Sequence, residues 1–452
     1  MPADCLAFWL LGSFFEAVNV IGNLERLYYI LVLVYYCLKI EVKIIWTYYV
    51  VDNQESGLND SMKNKNERLN DWAGGVKLCT LLLLAFSTPV NAETFPDPLP
   101  AEPVMVSESL DTPYPASYAV VHDFGFGSLP DSAFSLVDTH TGRFKGMMSA
   151  GNFATFDVSV SRQEMYVGET YYSRGTRGDR SDLVTVYDMN NLERLAEIEL
   201  PPKRAAMVVN KGATGITDSG KFMLVFNLTP ATSVSVVDLD SRKVVNVIES
   251  PGCSLVYPTV KDDFFMLCGD GAALFISLDS SGQVRKQSKS KPFIDIDNDP
   301  LSEKSSKIGD TWFFVSFHGN LQTVSARGEP LDRWSLLSNN EQSKGWRPAG
   351  WHWTASHPDG RLWVGMTPDG YEGSHKDPAS EVWLFDTKKK TRLSRITLNV
   401  NAMAIDVSLE DEPRLLVVNA AGALDVYNAQ TGKYQNSIMD LGASPYQVHR
   451  LQ

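Results

Sequence analysis

From residue 116 onward the apolar positions fall in short runs rich in Val, Ile, Phe, Tyr and Thr, broken by Gly, Asp, Asn, Ser and Pro. Long stretches with a 3.6-residue apolar period are lacking, so the pattern predicts many short antiparallel strands. One unit recurs: an apolar strand ending in Asp or a similar residue, a polar turn, then a second strand. It occupies residues 135–148, 185–200, 235–250, 275–288, 323–337, 383–398 and 425–440, with 323–337 the most degenerate copy. The copies are spaced by about 50 residues, the span of a four-stranded propeller blade. Asp138, Asp188 and Asp238 are placed to accept bonds from turn N–H groups, while Gly142, Gly282 and Gly432 supply positive φ. The fold predicted for 116–452 is therefore all-β: a single seven-bladed β-propeller whose recurring hairpin is the outer strand pair of each blade.

The first 115 residues follow other patterns. Met62 opens a basic stretch (Lys63, Lys65, Arg68, Lys77), followed by the apolar run 78–86 and a small-residue site ending in Val90-Asn91-Ala92. That order marks 62–92 as a secretory signal peptide cleaved after Ala92 and predicts export. Residues 1–61 are apolar and aromatic, but their longest run, 27–38, is too short to cross a bilayer. They read as an over-extended start ahead of Met62; a membrane anchor before a cleaved segment is the other reading. Residues 93–115 are Pro-rich and acidic and form an extended N-terminal arm, either a tail or a segment that docks on a partner.

Composition narrows the class. The chain has 452 residues and a net charge of −13. Beyond residue 92, 34 Lys and Arg stand against 45 Asp and Glu, a net −11. Acidity of this size argues against a nucleic-acid partner, which calls for a basic footprint. Only Cys253 and Cys268 of the five cysteines lie beyond the signal. In an oxidising compartment, flanking two strand-like runs, they are expected to form a disulfide between neighbouring strands.

No self-contained catalytic set is legible. The seven histidines are scattered, without His-Glu-x-x-His or a Cys/His cluster, and no metal site is expected. Asp295, Asp297 and Asp299 begin like a calcium loop, but Pro300 and Ser306 stand where Gly and Glu are needed. There is no Gly-x-Ser-x-Gly and no phosphate loop. Two stretches have the composition of interfaces. Arg174, Arg177 and Arg180 share a long loop with Asp179 and Asp182, which suits either a self-paired solvated loop or an anchor for a partner. Trp346, Arg347 and Trp351 lie in a dense tryptophan segment that suits either blade packing or a partner surface. These features alone support an exported propeller that binds something.

Several stretches are more specific. RGTRGDRSDLVTVYD (174–188), IELPPKRA (198–205), NLTPATSVSVVDL (227–239), FFMLCGDGAAL (264–274), KGWRPAGW (344–351) and the long run 357–396 resemble the heavy subunit of the quinoprotein amine dehydrogenases. The resemblance covers nearly the whole region after residue 92. Some stretches resemble the aromatic amine dehydrogenase branch and KGWRPAGW the methylamine branch, so the amine stays open, with a lean to aromatic amines. The resemblance implies a seven-bladed propeller in a periplasmic α2β2 assembly with a small disulfide-rich light chain. It implies that tryptophan tryptophylquinone and the catalytic base belong to the light chain, so this chain carries no cofactor and no catalytic residue. It further implies oxidation of a primary amine to aldehyde and ammonia, with electrons leaving to a blue copper protein of the azurin or amicyanin type. The family's heavy chain lines the substrate channel with a Phe near its beginning, which here corresponds to Phe124 or Phe126. Its disulfide pattern matches Cys253 and Cys268. The reading outside this family is an exported, non-enzymatic propeller acting as a protein-binding module.

Overall fold

A computed structural model describes residues 109–451. The expected over-extended start (1–61), the expected signal peptide (62–92) and residues 93–108 of the expected arm lie outside the described residues. The described chain is all-β, with 28 strands and only short helical turns, of which α1 (Asn339–Ser343) is the α-helical one.

The strands form sheets that follow one another along the chain. The first pairs β28 (Pro445–Arg450), β1 (Tyr118–Asp123), β2 (Ser132–Asp138) and β3 (Arg143–Ala150), so the last strand closes against the first. The second holds β4 (Asn152–Ser159), β5 (Glu164–Arg174), β6 (Arg177–Asp188) and β7 (Arg194–Leu200). The third holds β8 (Thr214–Ile216), β9 (Phe222–Asn227), β10 (Ser233–Asp238) and β11 (Lys243–Glu249). The fourth holds β12 (Cys253–Pro258), β13 (Asp263–Cys268), β14 (Ala273–Leu278) and β15 (Val284–Lys289). The fifth holds β16 (Ser306–Ile308), β17 (Thr311–Val315), β18 (Asn320–Val324) and β19 (Pro330–Ser335).

The remaining strands correct the expectation of seven separate blades. β20 (Arg347–Pro348), β21 (Thr354–Ser356), β22 (Arg361–Thr367), β23 (Ala379–Asp386), β24 (Thr391–Val407), β25 (Arg414–Asn419), β26 (Leu424–Asn428) and β27 (Tyr434–Ile438) make a single eight-stranded sheet. The cause is β24. Its 17 residues stay extended, pairing with β23 through Thr391–Thr397 and Ala402 and with β25 through Ala402–Val407. The molecule is a β-propeller of five four-stranded sheets and this one continuous sheet.

All seven recurring hairpins of the sequence fall on the last two strands of a repeat, from β2–β3 to β26–β27. Their turns are built as the residue types dictate. Asp138 Oδ1 accepts from the His140 N–H (3.0 Å) and Asp238 Oδ1 from the Ser241 N–H (2.7 Å). Gly142, Gly282 and Gly432 sit at φ +72°, +80° and +73°. Middle strands such as β9 (FMLVFN) and β14 (ALFISL) are buried along their whole length, because a sheet packs on each of their faces. Last strands such as β7 alternate towards solvent, and β15 is exposed throughout.

The core is accordingly a set of clusters between neighbouring sheets. Phe222, Leu224 and Phe226 of the third sheet meet Phe264, Phe265 and Ile276 of the fourth. Val121 and Val137 of the first sheet meet Leu416, Val418 and Val426 of the eight-stranded one, which closes the ring. The described end of the arm lies against the propeller: the Leu110 N–H donates to the Asn190 carbonyl (2.6 Å) and the Tyr114 hydroxyl to that of Met189.

Candidate functional site

Strand direction sorts the connections onto two faces. The links leading into β28, β4, β8, β12, β16 and β21 share one face, and so do the β1–β2 and β5–β6 loops, because their strands run antiparallel to these. Every residue singled out from the sequence as a channel or interface candidate lies in or beside these connections.

Their environments differ. Phe124 is buried to 1% exposure, whereas Phe126 is 50% exposed. Their ring centroids are 4.5 Å apart, and both contact Tyr446, at 5.4 and 5.5 Å. Trp351 reaches the same tyrosine at 5.4 Å, and Phe153 lies 6.0 Å from Phe124. Burial pushes the Tyr446 phenol well above its ordinary value. The result is an aromatic platform drawn from four separate stretches of chain, with Phe126 uppermost. Tyr446, Phe153 and the neighbouring Val209 had no signal in the sequence, since ring closure alone brings residue 446 to residue 124.

Trp346 lies apart from this platform. Its ring lies tilted against Trp383, with centroids 5.0 Å apart, and the Arg395 guanidinium covers both rings at 4.5 and 4.6 Å. Arg347 donates to the Tyr371 carbonyl (3.2 Å) and faces Glu372 at 3.7 Å. Both side chains therefore serve blade packing. Arg180 is also committed internally: it grips Asp182 with two bonds of 2.9 Å and donates to the Arg204 carbonyl at 2.6 Å. The long loop expected here is instead a hairpin: Arg174 ends β5, Arg177 opens β6 and Arg180 lies within β6, so Arg174 and Arg177 are exposed at a tight turn. Cys253 and Cys268 are opposite residues of β12 and β13 and are joined by a disulfide.

Along the propeller axis runs a channel with a 350 Å³ cavity, walled by the first strand of each four-stranded sheet together with β21 and the second half of β24. Its lining is polar. Lys211 donates to Asp406 (2.9 Å) and to the Val448 carbonyl (2.7 Å). His352 and His449 also line it, and burial holds both imidazoles neutral, well below their ordinary value. Asp157 has one carboxylate oxygen without a donor, and burial raises its carboxyl to about 7. Among the described residues no group of three or more His, Cys, Asp or Glu converges as a metal site.

Fold and site together define a β-propeller protein with an aromatic platform on one face and a polar axial channel. Comparison with known proteins gives that class a family. The profile of the methylamine dehydrogenase heavy chain (MADH) matches residues 119–451. The methylamine dehydrogenase heavy chain of Methylorubrum extorquens is 28% identical over 326 residues, 70% of this chain and 78% of that protein. That of Methylophilus methylotrophus is 27% identical over 321 residues, 69% and 78%. That of Paracoccus versutus is 27% identical over 320 residues, 69% and 74%. The chain belongs to the methylamine dehydrogenase heavy chain family and is an amine dehydrogenase subunit.

Proposed function

We propose that this chain is the heavy subunit of a periplasmic quinoprotein amine dehydrogenase, exported by the 62–92 signal. A small disulfide-rich light chain docks on the aromatic face, completing an α2β2 assembly. The observation that carries this reading is Phe126, half exposed on a rigid base of Phe124, Tyr446 and Trp351, in a chain of this family. A large apolar side chain at the surface of a packed platform is the anatomy of an interface core. Phe126 then forms part of the wall through which a primary amine passes.

The tryptophan tryptophylquinone is assigned to the light chain. Trp346 and Trp383, whose rings meet in this propeller, pack with Arg395 over both and Arg392 over Trp383, the role of ordinary blade tryptophans. When bound, the partner's quinone supplies oxidation of the amine to aldehyde and ammonia, with electrons leaving to a blue copper protein of the azurin or amicyanin type. This chain positions the partner, excludes water with its aromatic platform and shapes the path to the site.

The eight-stranded sheet is read as two blades sharing β24, for a total of seven. Support comes from the channel, where Thr354 and Ser356 of β21 and Asp406 of β24 each line the wall as the first strands of the other sheets do. Outside the propeller, 93–115 is read as an arm.

Co-expression and purification test the assignment. A small chain that co-purifies, stains for quinone and supports amine-dependent dye reduction is expected. A clean monomer with no partner would support a non-enzymatic binding propeller instead.

A further inference from the structure

Asp123 ends β1 and is 6% exposed. Its carboxylate accepts from the backbone N–H groups of Gly125 (3.1 Å), Ala443 (2.8 Å) and Ser444 (2.9 Å), and from the Ser444 hydroxyl (3.1 Å). Ser444 completes the tie from the other side. Its carbonyl accepts from the Phe124 N–H (3.2 Å) and its hydroxyl oxygen from the Phe126 N–H (2.9 Å). Gly442, at φ +128°, passes so close that a Cβ there would overlap the Asp123 carboxylate. The backbone carrying both aromatic rings is thus bonded on one side to its own β1 and on the other to the segment leading into β28.

We propose that Asp123 is a positioning residue that sets amine selectivity, by fixing the height and angle of Phe126 through the Ser444 segment. The inference rests on the reading of Phe126 as channel wall. A carboxylate suits the task because it accepts at both oxygens, and hydrogen bonds to an ionised acceptor are the stronger kind. An amide of the same shape offers one accepting oxygen and turns an NH2 group towards N–H donors. Ring position matters because a displacement of about 1 Å in a positioning group can change a rate about a hundredfold.

The test uses the assembled heavy and light chains carrying Asp123→Asn, with Phe126→Ala and Ser132→Ala beside it. Ser132 donates to the Asp123 carbonyl, not to its carboxylate, and serves as the control for local packing. Two readouts are taken: amide hydrogen exchange at Gly125, Ala443 and Ser444, and kcat and KM for methylamine against 2-phenylethylamine. Asp123→Asn is expected to speed exchange at those three amides and to change the ratio of kcat/KM values about tenfold, mainly through KM. Ser132→Ala should leave that ratio unchanged. Faster exchange with an unchanged ratio, while Phe126→Ala does change it, overturns the positioning role but leaves the channel-wall reading standing. An unchanged ratio in both Asp123→Asn and Phe126→Ala overturns that reading and the inference with it. Unchanged exchange in Asp123→Asn overturns the inference alone.

Discussion

The two phenylalanines show how different neighbouring residues can be. Phe124 is packed against Val209 and Tyr446, so its removal opens a cavity. Phe124→Ala should lower stability by about 3–5 kcal/mol. Phe126 is half exposed, and its removal forfeits mainly ring contacts worth about 1 kcal/mol. Phe126→Ala should therefore alter amine preference in the assembled enzyme while the melting curve hardly moves. Equal melting losses in the two variants would contradict the burial difference. The pair was visible in the sequence as candidates, but which ring turns outward was not. That choice depends on the Asp123–Ser444 tie, whose members are 321 residues apart in the chain. Arg180 teaches the same lesson, since only the fold reveals that it is spent on Asp182.

At the scale of elements, local chemistry was highly legible. A short polar residue opens each last pair's turn and a positive-φ residue closes it, glycine at 142, 282, 328 and 432 but Leu192, Arg242 and Lys390 at the other three, because these turns are closed by bonds within a few residues. The cysteine spacing likewise follows from one hairpin, with Cys253 directly opposite Cys268. Reducing that bridge should cost about 2–4 kcal/mol by freeing the 15-residue separation it closes in the unfolded chain. A melting temperature unchanged by reductant would contradict a structural role for the bond. The one element the pattern mis-drew is β24. Leu398-Asn399-Val400-Asn401 begins where the 383–398 copy ends, yet it stays extended, with the Asn399 N–H donating to the Tyr427 hydroxyl at 3.0 Å. The partner that holds it belongs to the next repeat.

Across the whole molecule, burial of titratable groups sets a pH dependence. Desolvation lowers His122 to about 3 and holds His352 and His449 well below their usual 6.5. Each takes up a proton on unfolding, so the stability it contributes is present above about pH 6.5 and is lost as the pH falls towards the folded value. Asp157 acts in the opposite sense: its carboxyl, raised to about 7 from 3.8, contributes stability at low pH that fades as the pH rises through 7. Three groups outweigh one, so the melting temperature should fall as the pH drops from about 6.5 to about 4. Asp157→Asn should raise the melting temperature above pH 7 and steepen the acid loss. A melting difference independent of pH would rule out Asp157 as a titrating group.

The sequence by itself determined the strand-and-turn grammar, the repeat, the cysteine pair and the family, because each rests on contacts within one hairpin or on stretches of contiguous residues. Tertiary structure alone decided what depends on closing the ring. It joined β28 to β1, fused two repeats through β24, gathered Phe124, Phe126, Phe153, Trp351 and Tyr446 into one platform, and turned scattered polar residues into an axial channel. A propeller repeats one local rule but brings its first strands together at a common axis. The surfaces that can hold a partner are therefore assembled from residues that no local pattern connects.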